Sequence, residues 1–375
     1  MTQFFRFETL TWPEVAALRR DTPLVIPLGG GYSEDLLSEA LGSPDQVGLL
    51  PSIPFGWRGS GLSVPEGIFA NLLSNLVASL RDDGFTRAYI LAPPGLDIGL
   101  GTDGIHLPYD EVPIRVNPLP EDSARDRVIL IPIGHTEQHG YHLPLSTDTL
   151  IIEAISLGTV SARPDRASAM PVYPYGASTH RATFAGTLNC TGRAFEDFWL
   201  AGVESLVNRG FNRFYLLSGH GGNCSFLTNV VKYAGERFPE IFCATAWLYL
   251  SGPLGIDSLN RHRRSQTGGM GHAGELETSL ILHLNPSLVH LDRAVDETDF
   301  ISTPSYFMDW AEGGALVANP PWLDDTATGG YGAGSLGTAE HGAIWLEAAI
   351  QEKAAHVDEI HEQYERRRFK RLGDS

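Results

Sequence analysis

The chain repeats itself, and this repetition restricts its fold more than any single motif does. Leu24-Val25-Ile26-Pro27-Leu28-Gly29 returns as Leu130-Ile131-Pro132-Ile133-Gly134, preceded by Val128 and Ile129. Ile53-Pro54-Phe55-Gly56 returns as Tyr173-Pro174-Tyr175-Gly176, and Gly84-Phe85-Thr86-Arg87 as Gly210-Phe211-Asn212-Arg213. The separation grows from 105 to 120 to 126 residues, as loop insertions in one copy would produce. Ahead of the last motif each copy carries apolar residues at helical spacing. These are Phe69, Leu72, Leu73, Leu76, Val77 and Leu80 in the first, and Phe195, Phe198, Trp199, Val203, Leu206 and Val207 in the second. Each set makes one apolar stripe that must face a sheet. The runs 88–91 and 214–217 are apolar throughout, which suits strands covered on both faces. Strand and helix in alternation predict an α/β fold, a three-layer sandwich with a mainly parallel sheet, present twice.

Residues 108–122 hold Pro108, Pro113, Pro118 and Pro120 among charged residues and read as a linker. The expected division is therefore 1–118 and 119–375. Gly330-Tyr331-Gly332-Ala333-Gly334 imitates a dinucleotide loop, but no strand leads into it, so nucleotide binding is not expected there. The end of the chain, from Ala339 to about Arg368, reads as a long amphipathic helix.

Composition narrows the function. A formal charge of −18 repels nucleic acid and anionic membrane, so neither is an expected partner. Cys190, Cys224 and Cys243 form neither a disulfide framework nor a CxxC metal site and read as free thiols in a reducing compartment. The first residues do not read as a signal peptide, and no run of about 18 apolar residues exists. A cytoplasmic protein acting on a small molecule is the expectation.

Three clusters carry chemistry, all in the second half. Glu137 and His139 follow the strand 128–133, and their two-residue spacing points both side chains one way in an extended segment. Asp148 stands at the start of the next helix. Such nitrogen and oxygen donors converging at a strand end suit zinc or manganese. The second cluster, Ser218-Gly219-His220-Gly221-Gly222-Asn223, follows the strand 214–217. In open α/β sheets ligands gather beyond such carboxyl ends. The third is Gly271-His272-Ala273-Gly274-Glu275-Leu276-Glu277, whose histidine and carboxylates suit proton transfer, although acids also simply favour a helix N-terminus.

Together the patterns GxTEQHGxHLPLxTD, FxGT (Phe184-Ala185-Gly186-Thr187), GHGGN and HAGExETS, in this order, resemble the creatininase-like amidohydrolase family over about residues 124–345. The resemblance implies an α/β sandwich, a homo-oligomer that in relatives is often a hexamer, and one or two divalent metals: zinc, manganese or iron. It puts Glu137, His139, Asp148 and His220 on metal-ligand positions, with Asp148 bridging, and His272 on the position of catalytic proton transfer; Glu277 nearby is expected to orient it. Where creatininase proper carries a further glutamate ligand, this chain has Gly222, and Glu275 is the candidate replacement. His180, Tyr175 and Asn223 are expected to bind substrate.

Carried back through the repeat, the ligand positions fall on Tyr32, Glu34 and Pro94, which cannot assemble a metal site. The first half is thus expected to be a copy without metal that stands in for a second subunit, so that the assembly needs fewer chains, for instance a homo-trimer. The expected reaction is attack of activated water on a small cyclic amide or formamide. Carbon–carbon hydrolysis of a cyclic keto-polyol and maturase-type peptide cleavage are the alternatives.

Overall fold

The computed structural model describes residues 1–109, 119–178, 184–311 and 313–373. In the first half come β1 (Gln3–Arg6), α1 (Trp12–Ala17), β2 (Leu24–Pro27), α2 (Glu34–Ala40), β3 (Gln46–Leu49), α3 (Glu66–Asp82), β4 (Ala88–Ala92) and β5 (Gly104–His106). In the second come β6 (Val128–Ile133), α4 (Thr147–Ala162), β7 (Ala167–Ala169), α5 (Gly192–Asn208), β8 (Arg213–Ser218), α6 (Gly221–Arg237), β9 (Phe242–Thr245), α7 (Pro253–His262), α8 (Glu275–Leu284) and α9 (Ala339–Gly373). Two parallel sheets result, ordered β1-β3-β2-β4-β5 and β7-β6-β8-β9. The fold is α/β, as expected.

The pairing follows the sequence repeat residue for residue. Leu24 pairs with Ala88 and Pro27 with Leu91 in the first sheet; Ile129 pairs with Phe214 and Pro132 with Leu217 in the second. Beyond the strands, the bridge Leu28–Ile53 matches Ile133–Tyr173, and Gly56–Ser63 matches Gly176–Asn189.

Alternation along β6 divides its side chains between two cores, because successive residues of a strand face opposite ways. Ile129, Ile131 and Ile133 enter a core shared with Leu24, Ile26 and Leu28 of the first half. The stripes of α3 (Phe69, Leu72, Leu76) and α5 (Phe195, Phe198, Trp199) fill this space between the sheets. Val128 and Leu130 face the opposite core, made with Ile151 and Ile155 of α4, Leu276 and Leu280 of α8, and Trp345 and Val357 of α9. The two halves therefore share their largest core.

The first half also braces the loop that follows β6. Leu145 N–H donates to the Leu10 carbonyl at 2.9 Å, and Ser146 N–H to that of Glu8 at 3.0 Å. The glycine-rich stretch is held as a clasp, with Tyr331 N–H on the His272 carbonyl at 2.7 Å and Ala333 N–H on that of Gly269 at 3.0 Å. Among the described residues, no helix is long and apolar enough to cross a membrane.

Candidate metal centre

The loop after β6, the first turn of α4, the loop after β8 and the approach to α8 meet in one buried place. Glu137, His139, Asp148, His220, His272 and Glu277 are all buried. Asp148 stands in the middle: its Oδ1 is 3.1 Å from His139 Nε2 and its Oδ2 3.3 Å from His220 Nδ1. On one side Glu137 Oε2 lies 2.8 Å from the same His220 nitrogen. On the other Glu277 Oε2 lies 3.7 Å from His139 Nε2. Two donor groups follow, His135 with Glu137 and His220, and His139 with His272 and Glu277, each with its atoms within 4.8 Å of one another.

The further contacts of these side chains fix their orientation. His139 Nδ1–H donates to the Glu137 carbonyl at 3.0 Å, which turns Nε2 toward Asp148 and Glu277. A backbone partner of this kind sets the tautomer of metal-binding histidines. Gly219 lets the second loop reach the centre, since a Cβ there would stand 2.3 Å from the Asp148 carbonyl oxygen. Gly222 is equally tied to its position. A Cβ would meet His220 Nε2 at 2.4 Å and the Ala177 carbonyl at 2.6 Å. The backbone that seats His220 thus leaves no room for a side chain at 222.

Charge balance follows from burial and proximity. Burial opposes protonation of His220, yet Glu137 and Asp148 beside it lift its pKa to about 10. Burial likewise opposes that of His139, which Asp148 and Glu277 lift to about 9. Burial raises both carboxylates, but His139 and His220 bring Asp148 down to about 2, and His220 holds Glu137 well below its usual range. Burial pushes Glu277 up to about 7. Burial and the nearby His139 hold His272 neutral, down to about 3.

The donor set fits a divalent ion. Glu137 Oε2 and Asp148 Oδ2 are buried and, among the described residues, meet only the ion-pair contact to His220 Nδ1. Buried carboxylate oxygens normally find partners, and two carboxylates converging on one imidazole nitrogen make a donor set that suits a cation.

Four expectations need correction. Glu275 lies outside the centre: its carboxylate accepts N–H bonds from Arg264 at 2.8 Å and Ser265 at 2.7 Å. Glu277 does not orient His272. It accepts the Ala273 N–H at 2.6 Å and faces His139, in the position of a ligand. The two acids are two residues apart on a helix, so they point to different sides. Tyr175 is buried between the halves with its hydroxyl donating to the Pro51 carbonyl, and so does not line a pocket. Asn223 is spent on backbone, accepting Ala177 N–H at 2.9 Å and donating to the Gly134 carbonyl at 3.3 Å. His180 lies outside the described residues.

Two residues join the site that the sequence reading passed over. Gln138 touches His272, whose Nε2 lies 2.7 Å from the Gln138 carbonyl. His135 packs against His220 with ring centroids 4.5 Å apart and planes tilted by 39°. The clue to His135 was a third histidine within eight residues, 135–142.

Aromatic side chains wall the centre. Trp322 stands edge-on to His272 at 4.9 Å and packs on Tyr331 at 4.7 Å. Trp12 of the first half contacts Tyr141 and Phe184, and its Nε1–H donates to the Thr328 carbonyl at 2.7 Å. A cavity of about 440 Å³ is lined by Thr267, Thr298, Phe300, Ser302 and Phe307, with Phe300 also in ring contact with Tyr331; none of the ligand candidates lines it.

The family model for creatininase, creatinine amidohydrolase, matches residues 117–357. The chain belongs to the creatininase family. It is 33% identical over 175 residues to the mycofactocin precursor peptide peptidase of Mycobacterium ulcerans, an alignment covering 44% of this chain and 61% of that protein. It is 28% identical over 245 residues to the creatinine amidohydrolase of Pseudomonas putida, covering 61% and 88%. To the 3-dehydro-scyllo-inosose hydrolase of Thermotoga maritima it is 27% identical over 254 residues, covering 63% and 78%. Among solved creatininases, a manganese form superposes with a TM-score of 0.52 at 25% identity, over 65% of this chain and 93% of that one. A variant of Zn-Zn type superposes with 0.51 at 25% identity, over 64% and 92%. The family match takes in every ligand candidate.

Proposed function

We propose that this creatininase-family protein is a metal-dependent amidohydrolase that adds water across a C–N bond of a small cyclic amide or formamide. The observation that carries the reading is Asp148, which offers one oxygen to the Glu137–His220 group and the other to the His139–Glu277 group. One or two divalent ions fit this arrangement, zinc or manganese by analogy with the solved relatives. A divalent ion held there supplies acidified water and a Lewis acid for the carbonyl.

The remaining work belongs to the chain. His272, held neutral, takes a proton from the attacking water and passes it to the leaving nitrogen. Its ring is fixed by the Gln138 carbonyl. Trp322, Tyr331 and Phe184 exclude water from its outer side. The first half is read as a metal-free copy of the same fold, on the strength of the matched pairing registers. It buttresses the ligand loop through Leu10 and Glu8 and lends Trp12 to the wall.

A second reading draws on the peptidase likeness: the same centre would open the C–N bond at a peptide terminus. Carbon–carbon hydrolysis of a cyclic keto-polyol is the third. Metal-loaded protein offered lactams, formamides, short peptides and cyclic keto-polyols distinguishes them by product. Turnover of a lactam or formamide is expected. Turnover of peptides or keto-polyols alone overturns the first reading.

A further inference from the structure

His135 is chemically the odd member of its group. Its Nδ1 accepts the Gly176 N–H at 2.9 Å. A neutral imidazole has one lone pair and one N–H, so Nε2 carries the proton. A nitrogen in that state cannot ligate a metal. Swapping the tautomer would turn Nδ1–H against the Gly176 N–H. Gly176 is itself fixed, because its carbonyl accepts the Cys190 N–H at 3.0 Å.

The Nε2–H is buried and without a partner among the described residues. A ring nitrogen of His135 lies within 4.8 Å of donor atoms of Glu137 and His220. No ion pair or hydrogen bond joins it to them among the described residues. A buried N–H left unmatched is costly, and an oxygen atom placed between it and the ligand side chains would satisfy it.

We propose that His135 is not a ligand but a fixed hydrogen-bond donor, aimed at the carbonyl oxygen of a substrate bound at the Glu137–Asp148–His220 end of the centre. It gives the acyl oxygen a protein partner as charge builds on it, in the manner of an oxyanion donor. The inference rests on the amidohydrolase reading above.

The test uses the full-length protein with ¹⁵N-labelled histidine, loaded with cadmium-113. His139 and His220 are expected to show cadmium coupling. His135 is expected to show none, with its proton on Nε2, its signals identified by their loss in His135→Ala. Coupling to His135 overturns the inference and leaves the metal centre standing. Coupling to none of them overturns the metal reading instead. In parallel, His135→Ala and His135→Gln are expected to keep full metal content while His135→Ala binds acetohydroxamic acid about tenfold more weakly than the parent, a factor set by one charge-assisted hydrogen bond. His135→Gln, which retains an N–H, is expected to recover part of that affinity. Loss of metal from His135→Ala, undiminished binding by it, or no binding by the parent each contradicts the proposal.

Discussion

The carboxylate of Asp148 sits 3.1 Å from His139 Nε2 and 3.3 Å from His220 Nδ1, linking a loop that follows β6 to one that follows β8. Both strands are central in one parallel sheet, so the link is made where two strand ends open side by side. Removing this carboxylate should therefore dismantle both donor groups at once. Asp148→Asn is expected to bind metal at least about 100-fold more weakly, since even outer partners of metal ligands cost 10–100-fold. Competition against a fluorescent chelator reads this directly.

Glu275 and Glu277 should separate cleanly. Glu275→Ala strips acceptors from the Arg264 and Ser265 amides and is expected to cost about 2–3 kcal/mol of stability while metal content stays whole. Glu277→Ala is expected to lower metal content. Denaturant unfolding with elemental analysis on both variants checks the pair.

Gly222→Ala is expected to weaken metal binding although position 222 is not a ligand. Its Cβ would press on His220 Nε2 at 2.4 Å, and the Ala177 carbonyl behind it is backbone that cannot swing aside. Metal affinity of the variant equal to the parent's would contradict this account of the glycine.

The pH dependence should change sign with metal. In the metal-free protein burial works against the charged forms of His139 and His220, but Asp148 and Glu137 raise their pKa to about 9 and about 10. Groups raised on folding stabilise fully below their unfolded value near 6.5, and that stability is lost as pH rises through 9–10. Metal-loaded protein needs the same imidazoles unprotonated, so its extra stability should grow as pH rises from about 6. Denaturant unfolding from pH 6 to 10, with and without chelator, is expected to give diverging curves.

Trp12→Ala is expected to loosen the wall over His272 from the far half of the chain, because it removes the bond to Thr328 and the packing on Tyr141 and Phe184. Hydrogen exchange should quicken in residues 322–331 with the core strands unchanged.

Much of this was legible in the sequence, and the failures share a cause. The apolar runs predicted parallel strands, and Leu24 pairs with Ala88 and Ile129 with Phe214. Glu137, His139, Asp148, His220 and His272, read from separate motifs, lie together in space. Tyr175, Asn223 and Glu275 went astray because a polar residue near a site can be consumed by backbone groups, which must be satisfied wherever chains pack closely. No spacing rule reveals that demand. His135 was missed for the converse reason: its importance lies in an N–H that the backbone leaves unmatched.

The most direct test is anomalous scattering from crystals of protein purified with its native metal. An ion bounded by Glu137, Asp148 and His220 is expected, with the His139–Asp148–Glu277 group as the place of any second ion. Full-occupancy metal elsewhere, or none in protein that is catalytically competent, would contradict this expectation.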